Sequence, residues 1–385
     1  MSSHQQFESL KLEALPFLWH PLEDPATNPF PATLPFELNH DAVSGIVSQV
    51  PDPAVQEVLA ASYGKGTYFE GLMDATGIGA EYAQDFVKFI DMSISSTGTA
   101  THTALDIGCG TGYLLSLLKE KGMEVLGYEP GFAAIGKFPV PVEPAFFPSP
   151  AIAGRTFDLI AAFALVEHIP DPRDLLRAMA RYLTPQGVAV LAVPDCEDQI
   201  SNGDLSMLIH EHYSYFTLET FSRLVESAGF ETIEVRKSGF GGMIYGAFRR
   251  ASSPPPRQPV AADDLLGRVA AAHARLREYL ERHEGKEIGV YVPGRAVNSL
   301  YILRDEIKTA DITLRFFDDS DYLQGRFFPG FATVVESRAE LIASPPDALL
   351  IYSYSFADRI IANLGTSLEG SVEVTLLANL LDGRA

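Results

Sequence analysis

Residues 103–131, TALDIGCGTGYLLSLLKEKGMEVLGYEPG, constrain the fold more than any other stretch of this chain. Apolar ALDI reads as a buried strand, GCGTG as a tight turn, YLLSLLKEKG as a helix and MEVLGYE as a second strand. Two strands joined through a helix must run parallel, because the crossover carries the chain back to the same edge. Gly108 and Gly110 permit positive φ and let the backbone approach a ligand closely. The helix start beyond them presents N–H groups with no intrahelical acceptor. Strand runs and amphipathic helical runs keep alternating from residue 76 to 250, the pattern of an α/β domain with a mostly parallel sheet.

At 385 residues the chain is too long for one ordinary domain. We expect three regions: 1–75, Pro-rich and irregular at first; the α/β region 76–250; and a second α/β pattern over 257–385, beyond the Pro-rich linker ASSPPPRQPVAADD. The formal charge of −21 argues against nucleic acid or an anionic membrane as partner. No apolar run is long enough for a transmembrane helix, and the N-terminus lacks the pattern of a secretory leader. Cys109 and Cys196, the only cysteines, build neither a disulfide framework nor a four-thiolate zinc site, so a reducing, cytoplasmic setting is expected.

Two ligand classes use such a glycine turn. The dinucleotide fingerprint G-x-G-x-x-G fails here, since Tyr113 occupies the third glycine position. The sequence reads D-x-G-x-G-x-G instead, with Asp106 in the strand and Glu129 ending the next one, where two carboxylate oxygens suit two ribose hydroxyls. This combination resembles the S-adenosylmethionine (SAM) site of class I methyltransferases. The downstream run FDLI…EHIPDP…LTPQGVAVLAVPD resembles the middle section of that family. The resemblance implies a Rossmann-like sheet whose last strand inserts antiparallel, and SAM as cofactor. It assigns cofactor contacts to Asp106, Gly108, Gly110, Glu129, Pro130, Phe163, Ala164 and Tyr68. Asp158, a lone acid at a strand edge, reads as structural.

At HEHYSYFT (210–217) and at the C-terminal D-x-x-x-x-x-QG-x-x-x-PG pattern, the chain resembles the sugar C-methyltransferases, which act on nucleotide-linked ketosugars. That family has a small N-terminal domain, a central SAM domain and a C-terminal α/β domain. The resemblance therefore makes 1–75 a substrate cap, 76–250 the SAM domain and 257–385 a substrate-shaping domain. The family's four zinc-binding cysteines are missing from residues 1–108, so no metal is expected. Its C-terminal lysines are missing as well: the turn reads VPGRAVNS, and Leu323 precedes the QG. Arg295 and Arg326 are the compensating cations for a nucleotide-linked substrate, and Ile209 stands where the family often has Tyr.

Carbon methylation needs an enolate, hence a base for the carbon-bound proton and a donor for the enolate oxygen. The resemblance makes His212 the base, with Glu211 able to orient it or relay its proton, and His168, in the loop after the fourth strand, is the candidate donor to the enolate oxygen. Tyr63 is assigned to the substrate, and His210 to the surface or a cap. The expected activity is C-methylation of a keto-sugar or related keto compound. The alternatives are O- or N-methylation of a small metabolite, and a non-catalytic SAM-binding protein.

Overall fold

The computed structural model describes the chain except for residues 1–7, 18–20, 25, 27, 29, 42–43, 65–72, 76, 99, 132–136, 253–263, 295, 366–367, 369–371 and 384–385. In chain order the elements begin with β1 (Glu8–Pro16), β2 (Thr33–His40), β3 (Val47–Gln49), α1 (Pro53–Gly64), α2 (Gly77–Thr97), β4 (Thr103–Ile107), α3 (Tyr113–Glu120), β5 (Glu124–Tyr128) and β6 (Val142–Glu143). Then follow β7 (Phe157–Phe163), a 3-10 turn (Val166–His168), α4 (Pro172–Tyr182), β8 (Leu183–Pro194), α5 (Glu197–Asn202), β9 (Ser214–Tyr215), α6 (Leu218–Ser227), β10 (Phe230–Lys237) and β11 (Met243–Arg250). The C-terminal part holds α7 (Leu265–Arg282), β12 (Glu287–Tyr291), α8 (Ala296–Ile302), α9 (Arg304–Thr309), β13 (Thr313–Phe317), β14 (Val335–Glu336), α10 (Arg338–Ala343), β15 (Ala348–Ile351), α11 (Ala357–Leu364), β16 (Glu373–Leu376) and α12 (Leu377–Asp382).

Two compact units interleave along the chain. The first contains His40–Asp195 and the stretch that begins at Glu211; the second contains Glu8–Asn39, Cys196–His210 and the C-terminal stretch.

A seven-stranded sheet, order β10-β11-β8-β7-β4-β5-β6, organises the first unit. β11 lies antiparallel between β8 and β10, and the strands from β8 to β6 are parallel. This is the expected Rossmann-like sheet with its inserted last strand. Side chains alternate across it: Leu105, Ile160 and Leu191 pack against α4 and α6, while Ala104, Leu159 and Val190 face α2 and α3. Both faces are therefore apolar, as a sheet covered on both sides by helices requires. Each fully buried Leu, Ile or Phe contributes roughly 1.5–3 kcal/mol, so these two layers carry much of the unit's stability. Asp158 accepts hydrogen bonds from the backbone N–H groups of His102 and Thr103 and from the hydroxyls of Thr103 and Thr184. Those donors outweigh burial and lower its pKa, and they tie β7 to the start of β4, a structural role in keeping with its place in the sequence.

The second unit carries a parallel five-stranded sheet, order β14-β13-β12-β15-β16. Its core gathers Leu276 and Tyr279 of α7, Val290 of β12, Phe316 of β13 and Leu350 of β15. The segment 196–210 packs here too. Gly203 adopts φ +68°, and a Cβ on it would come within 2.3 Å of the Arg268 backbone, so only glycine allows this approach to α7.

Candidate active site

The glycine turn sits at the carboxyl edge of β4. Gly108, Gly110 and Gly112 all have positive φ, at 72°, 50° and 78°. Gly108 and Cys109 donate their N–H groups to the Tyr128 carbonyl at the end of β5, which folds the turn across that edge. Gly127 on β5 completes the fit, because a Cβ there would meet Cys109 Sγ at 2.5 Å. Cys109 and Cys196 are buried and form no disulfide.

Two carboxylates face this turn. Glu129 is buried, and its oxygens accept the N–H groups of Gly110 (3.0 Å) and Gly131 (2.8 Å). Each carboxylate oxygen has a further lone pair, so the group is held in place and can still accept hydroxyls. Asp106 is also buried, and its Oδ1 has no hydrogen-bond partner among the described residues. Burial, and then the charge of Glu129, push the Asp106 carboxyl well above the usual range. Burial also raises Glu129, against the lowering effect of the Gly131 and Gly110 N–H groups. A cradle of positive-φ glycines with an unsatisfied buried acid at its base fits a cationic, hydroxyl-bearing ligand, and SAM brings both an ammonium group and a ribose.

A pH dependence follows. The free protein holds protons on carboxyls of raised pKa, and a bound ammonium favours their ionised form. Binding of S-adenosylhomocysteine (SAH) should therefore release protons and tighten as pH rises above the usual carboxylate range. Calorimetry in two buffers of different ionisation enthalpy measures the release. An affinity that is flat or falling as the pH rises would contradict this description of the site.

The loop after β7 supplies the opposite wall. Ala164 takes φ 50°, unusual for a residue with a Cβ, and strain of this kind concentrates at functional edges. Leu165 follows, with Cδ1 3.0 Å from where a Cβ on Gly108 would sit. Phe163 is turned towards α2, edge-on to Phe86 at 5.0 Å between centroids. Pro130 is exposed beside Glu129.

The 3-10 turn next in sequence places His168. Its Nδ1 lies 3.1 Å from the Glu211 carbonyl, and since a carbonyl only accepts, Nδ1 carries the proton. Tyr213 N–H donates to the Glu167 carbonyl at 2.7 Å, and Val47 and Ser48 of β3 pair with Tyr215 and Ser214 of β9. These bonds stitch residues 211–215 alongside the turn. The His168 and His212 rings consequently meet edge to face, with centroids 4.7 Å apart. Glu167 is fully buried, with Oε1 4.0 Å from His168 Nε2, and the donor atoms of Glu167, His168 and His212 all lie within 4.8 Å of one another. Glu211 and His212 are buried as well.

Sequence reasoning passed over Glu167, although the Glu-His pair of EHIPDP stands in plain view. Its burial is the missing signal. His210 corrects an expectation. It is completely buried instead of lying at the surface or in a cap, with Phe17 and Phe36 against its ring at 5.7 and 5.4 Å and Nε2 3.3 Å from the Pro35 carbonyl. Burial brings its pKa down to about 4 despite those backbone contacts. Tyr68 and Arg295 lie outside the described residues, as does the side chain of Tyr63 in α1. Arg326, in the second unit, pairs with Glu23 at 2.9 Å and stacks over the Tyr322 ring at 4.2 Å.

The stretch that holds the glycine turn is similar to known proteins. Residues 79–235 match the model of a methyltransferase domain. The C-methyltransferase NovU of Streptomyces niveus is 26% identical over 313 residues, which cover 74% of each chain. A ubiquinone biosynthesis O-methyltransferase of Methylobacterium sp. (strain 4-46) is 30% identical over 148 residues, 33% of this chain and 59% of that protein. Among solved structures, the 1,6-didemethyltoxoflavin-N1-methyltransferase of Burkholderia thailandensis, with bound 1,6-didemethyltoxoflavin and S-adenosylhomocysteine, aligns at 16% identity and a TM-score of 0.38. The alignment covers 55% of this chain and 99% of that one. The glycine cradle and its two acids lie within the matched stretch, so residues 79–235 form a SAM-dependent methyltransferase domain of class I fold, in a chain that resembles C-methyltransferases.

Proposed function

We propose that the enzyme methylates carbon beside a ketone, in a keto-sugar or related small keto compound. The observation that carries the proposal is the Glu167–His168–His212 cluster, in which Glu167 and His212 are buried and His168 is partly exposed; its first two members follow the Leu165 loop that adjoins the glycine cradle. Two imidazoles and a carboxylate are more than transfer to a ready nucleophile needs, and they suit removal of a carbon-bound proton.

In this mechanism bound SAM supplies an electrophilic methyl group. His212 takes the proton from the carbon beside the carbonyl. His168 acts as the imidazolium: its Nδ1 proton is engaged by the Glu211 carbonyl, and its Nε2 proton is donated to the developing enolate oxygen. The carboxylate of Glu167, 4.0 Å from Nε2, stabilises that imidazolium before it donates. Glu211 orients His212 through the chain. Tyr68 on the cofactor side, and Tyr63, Arg295 and Arg326 on the substrate side, belong to the same proposal, with residues 1–75 as cap and 257–385 as substrate-shaping domain.

The test is proton exchange. A keto substrate incubated in heavy water with enzyme and SAH should exchange the proton beside its carbonyl. O-methylation, the reading favoured by the ubiquinone-pathway relative, requires no exchange, and its absence with a substrate that is methylated would overturn the proposal.

The cluster is proposed to work without metal. Two ligands of one tetrahedral ion, at bond lengths of about 2.1 Å, sit about 3.4 Å apart. Glu167 Oε1 and His168 Nε2 are 4.0 Å apart, wider than two neighbouring ligands of such an ion. Elemental analysis of protein purified without a histidine tag should find no stoichiometric zinc; one zinc per chain would contradict this.

A further inference from the structure

Within the first unit, the carboxyl edge of the sheet carries a row of aromatic rings on its α2 side. Phe163 closes β7, and its ring lies 5.0 Å from Phe86 and 6.1 Å from Tyr82, edge-on to both. Tyr82 in turn meets Phe240 edge to face at 4.6 Å. Tyr82, Phe163 and Phe240 are only half-buried, whereas their neighbours Phe86 and Tyr245 are completely buried. Core packing accounts for the inner pair and leaves the outer three with ring surface uncovered.

The loop between β10 and β11 is built to hold Phe240 in this row. It reads Ser238-Gly239-Phe240-Gly241-Gly242, one large side chain among small ones. Asp85 on α2 accepts the Phe240 N–H at 3.1 Å, and Ser238 Oγ accepts the Gly241 N–H at 2.9 Å. A Cβ on Gly239 would come within 2.8 Å of Asp85 Oδ1, and one on Gly242, at φ +74°, would sit 3.2 Å from the Tyr82 hydroxyl. Glycine is what lets the loop close on α2. Two residues suffice to join antiparallel neighbours; the extra length here goes into one braced ring.

The other parts of the site reach the same strand ends. Leu165, two residues past Phe163, approaches the Gly108 turn. Asp195, directly after β8, donates its N–H to the Gly242 carbonyl at 3.0 Å and bridges Phe216, directly after β9. The glycine cradle, the aromatic row and the strand that follows His212 thus meet around the ends of β7 and β8. That edge is where open parallel sheets bind ligands, and aromatic lining with a few polar groups is the usual make-up of a small-molecule site.

We infer that Tyr82 and Phe240, continuing from Phe163, form an aromatic wall for the methyl acceptor, against which a ring ketone lays an apolar C–H face while its carbonyl meets His168 and His212. Tyr82 and Phe240 are then specificity-determining residues that select a cyclic acceptor with one apolar face over an open-chain, hydroxyl-rich ketone. The inference rests on the keto-acceptor reading given above.

The test uses the full-length protein saturated with SAH, and cyclohexanone as probe, its affinity read by saturation-transfer NMR titration. The parent should bind cyclohexanone more tightly than 1,3-dihydroxyacetone, an open-chain ketone with no apolar ring face. Tyr82→Leu and Phe240→Leu, which keep apolar volume and lose the ring, should weaken cyclohexanone about 10-fold and leave SAH affinity as in the parent. Tyr82→Phe, which restores a ring, should recover the parent's affinity. Phe240→Leu, in a loop, decides the matter if Tyr82→Leu does not fold. Cyclohexanone affinity equal in the parent and Phe240→Leu, or no binding by the parent, overturns the inference. Heavy-water exchange beside the carbonyl of the same probe separates this failure from that of the base. Binding that follows the wall variants without any exchange in the parent leaves the wall standing and overturns the base assignment. Exchange that proceeds in the parent and is unaltered in both leucine variants, at sub-saturating probe, overturns the wall.

Discussion

Replacing His212 by alanine is expected to cut turnover about 10²–10⁴-fold, the usual contribution of a positioned base, and to leave SAH binding nearly intact. The separation follows from the geometry. His212 meets the rings of His168 and Tyr215, whereas the glycine turn is tied to Glu129 through the Gly110 N–H. Under the proposed mechanism, its removal takes away proton abstraction and leaves the cofactor cradle standing. The variant should also lose the heavy-water exchange that the parent catalyses with SAH present. His168→Ala should be less damaging for exchange, because it removes a donor to the enolate oxygen and not the base. A His212→Ala protein that turns over normally while the parent methylates carbon would move the base to His168.

The second large effect is expected at the cofactor site. Glu129→Ala should weaken SAH by about 1–3 kcal/mol, roughly 5- to 150-fold, the cost of unpairing hydrogen bonds to a charged acceptor. Two losses contribute. Ligand hydroxyls lose their acceptor, and the N–H groups of Gly110 and Gly131 lose the carboxylate that holds the turn. Glu129→Gln separates these losses, since it keeps one acceptor oxygen and should fall between parent and alanine variant. Thermal unfolding of each variant checks that the sheet persists. Unchanged SAH affinity in Glu129→Ala would remove this residue from the site, and tight binding of NAD by the parent would contradict the cofactor assignment itself.

The glycine-turn unit could be read directly from the sequence because its rules are local. Glycines that take positive φ, an apolar strand and an amphipathic helix all lie within residues 103–131. The antiparallel insertion of β11 followed from family resemblance, and its pairing with both β8 and β10 agrees. Other features depend on contacts distant in sequence and leave no local trace. His210 looks polar and surface-seeking until Phe17 and Phe36 close on it. Asp204 looks like a loop acid until Ser299 and Tyr352 arrive from residues far down the chain. Glu167 sits in a short turn with no periodicity to read, and only its burial beside two imidazoles sets it apart from an ordinary surface acid. The interleaving of the two units has the same origin: segment 196–210 reads as connecting chain, and what assigns it to the second unit is the bonding of Ile200, Asp204 and Leu208.

The central claim is that the transferred methyl group ends on carbon. Its most direct test is carbon NMR of the product formed from SAM labelled with ¹³C in the methyl group, using keto-sugars and related keto metabolites as acceptors. The account predicts a labelled methyl coupled to a carbon neighbour, beside the former site of the exchangeable proton. A labelled methoxy or N-methyl signal would contradict it.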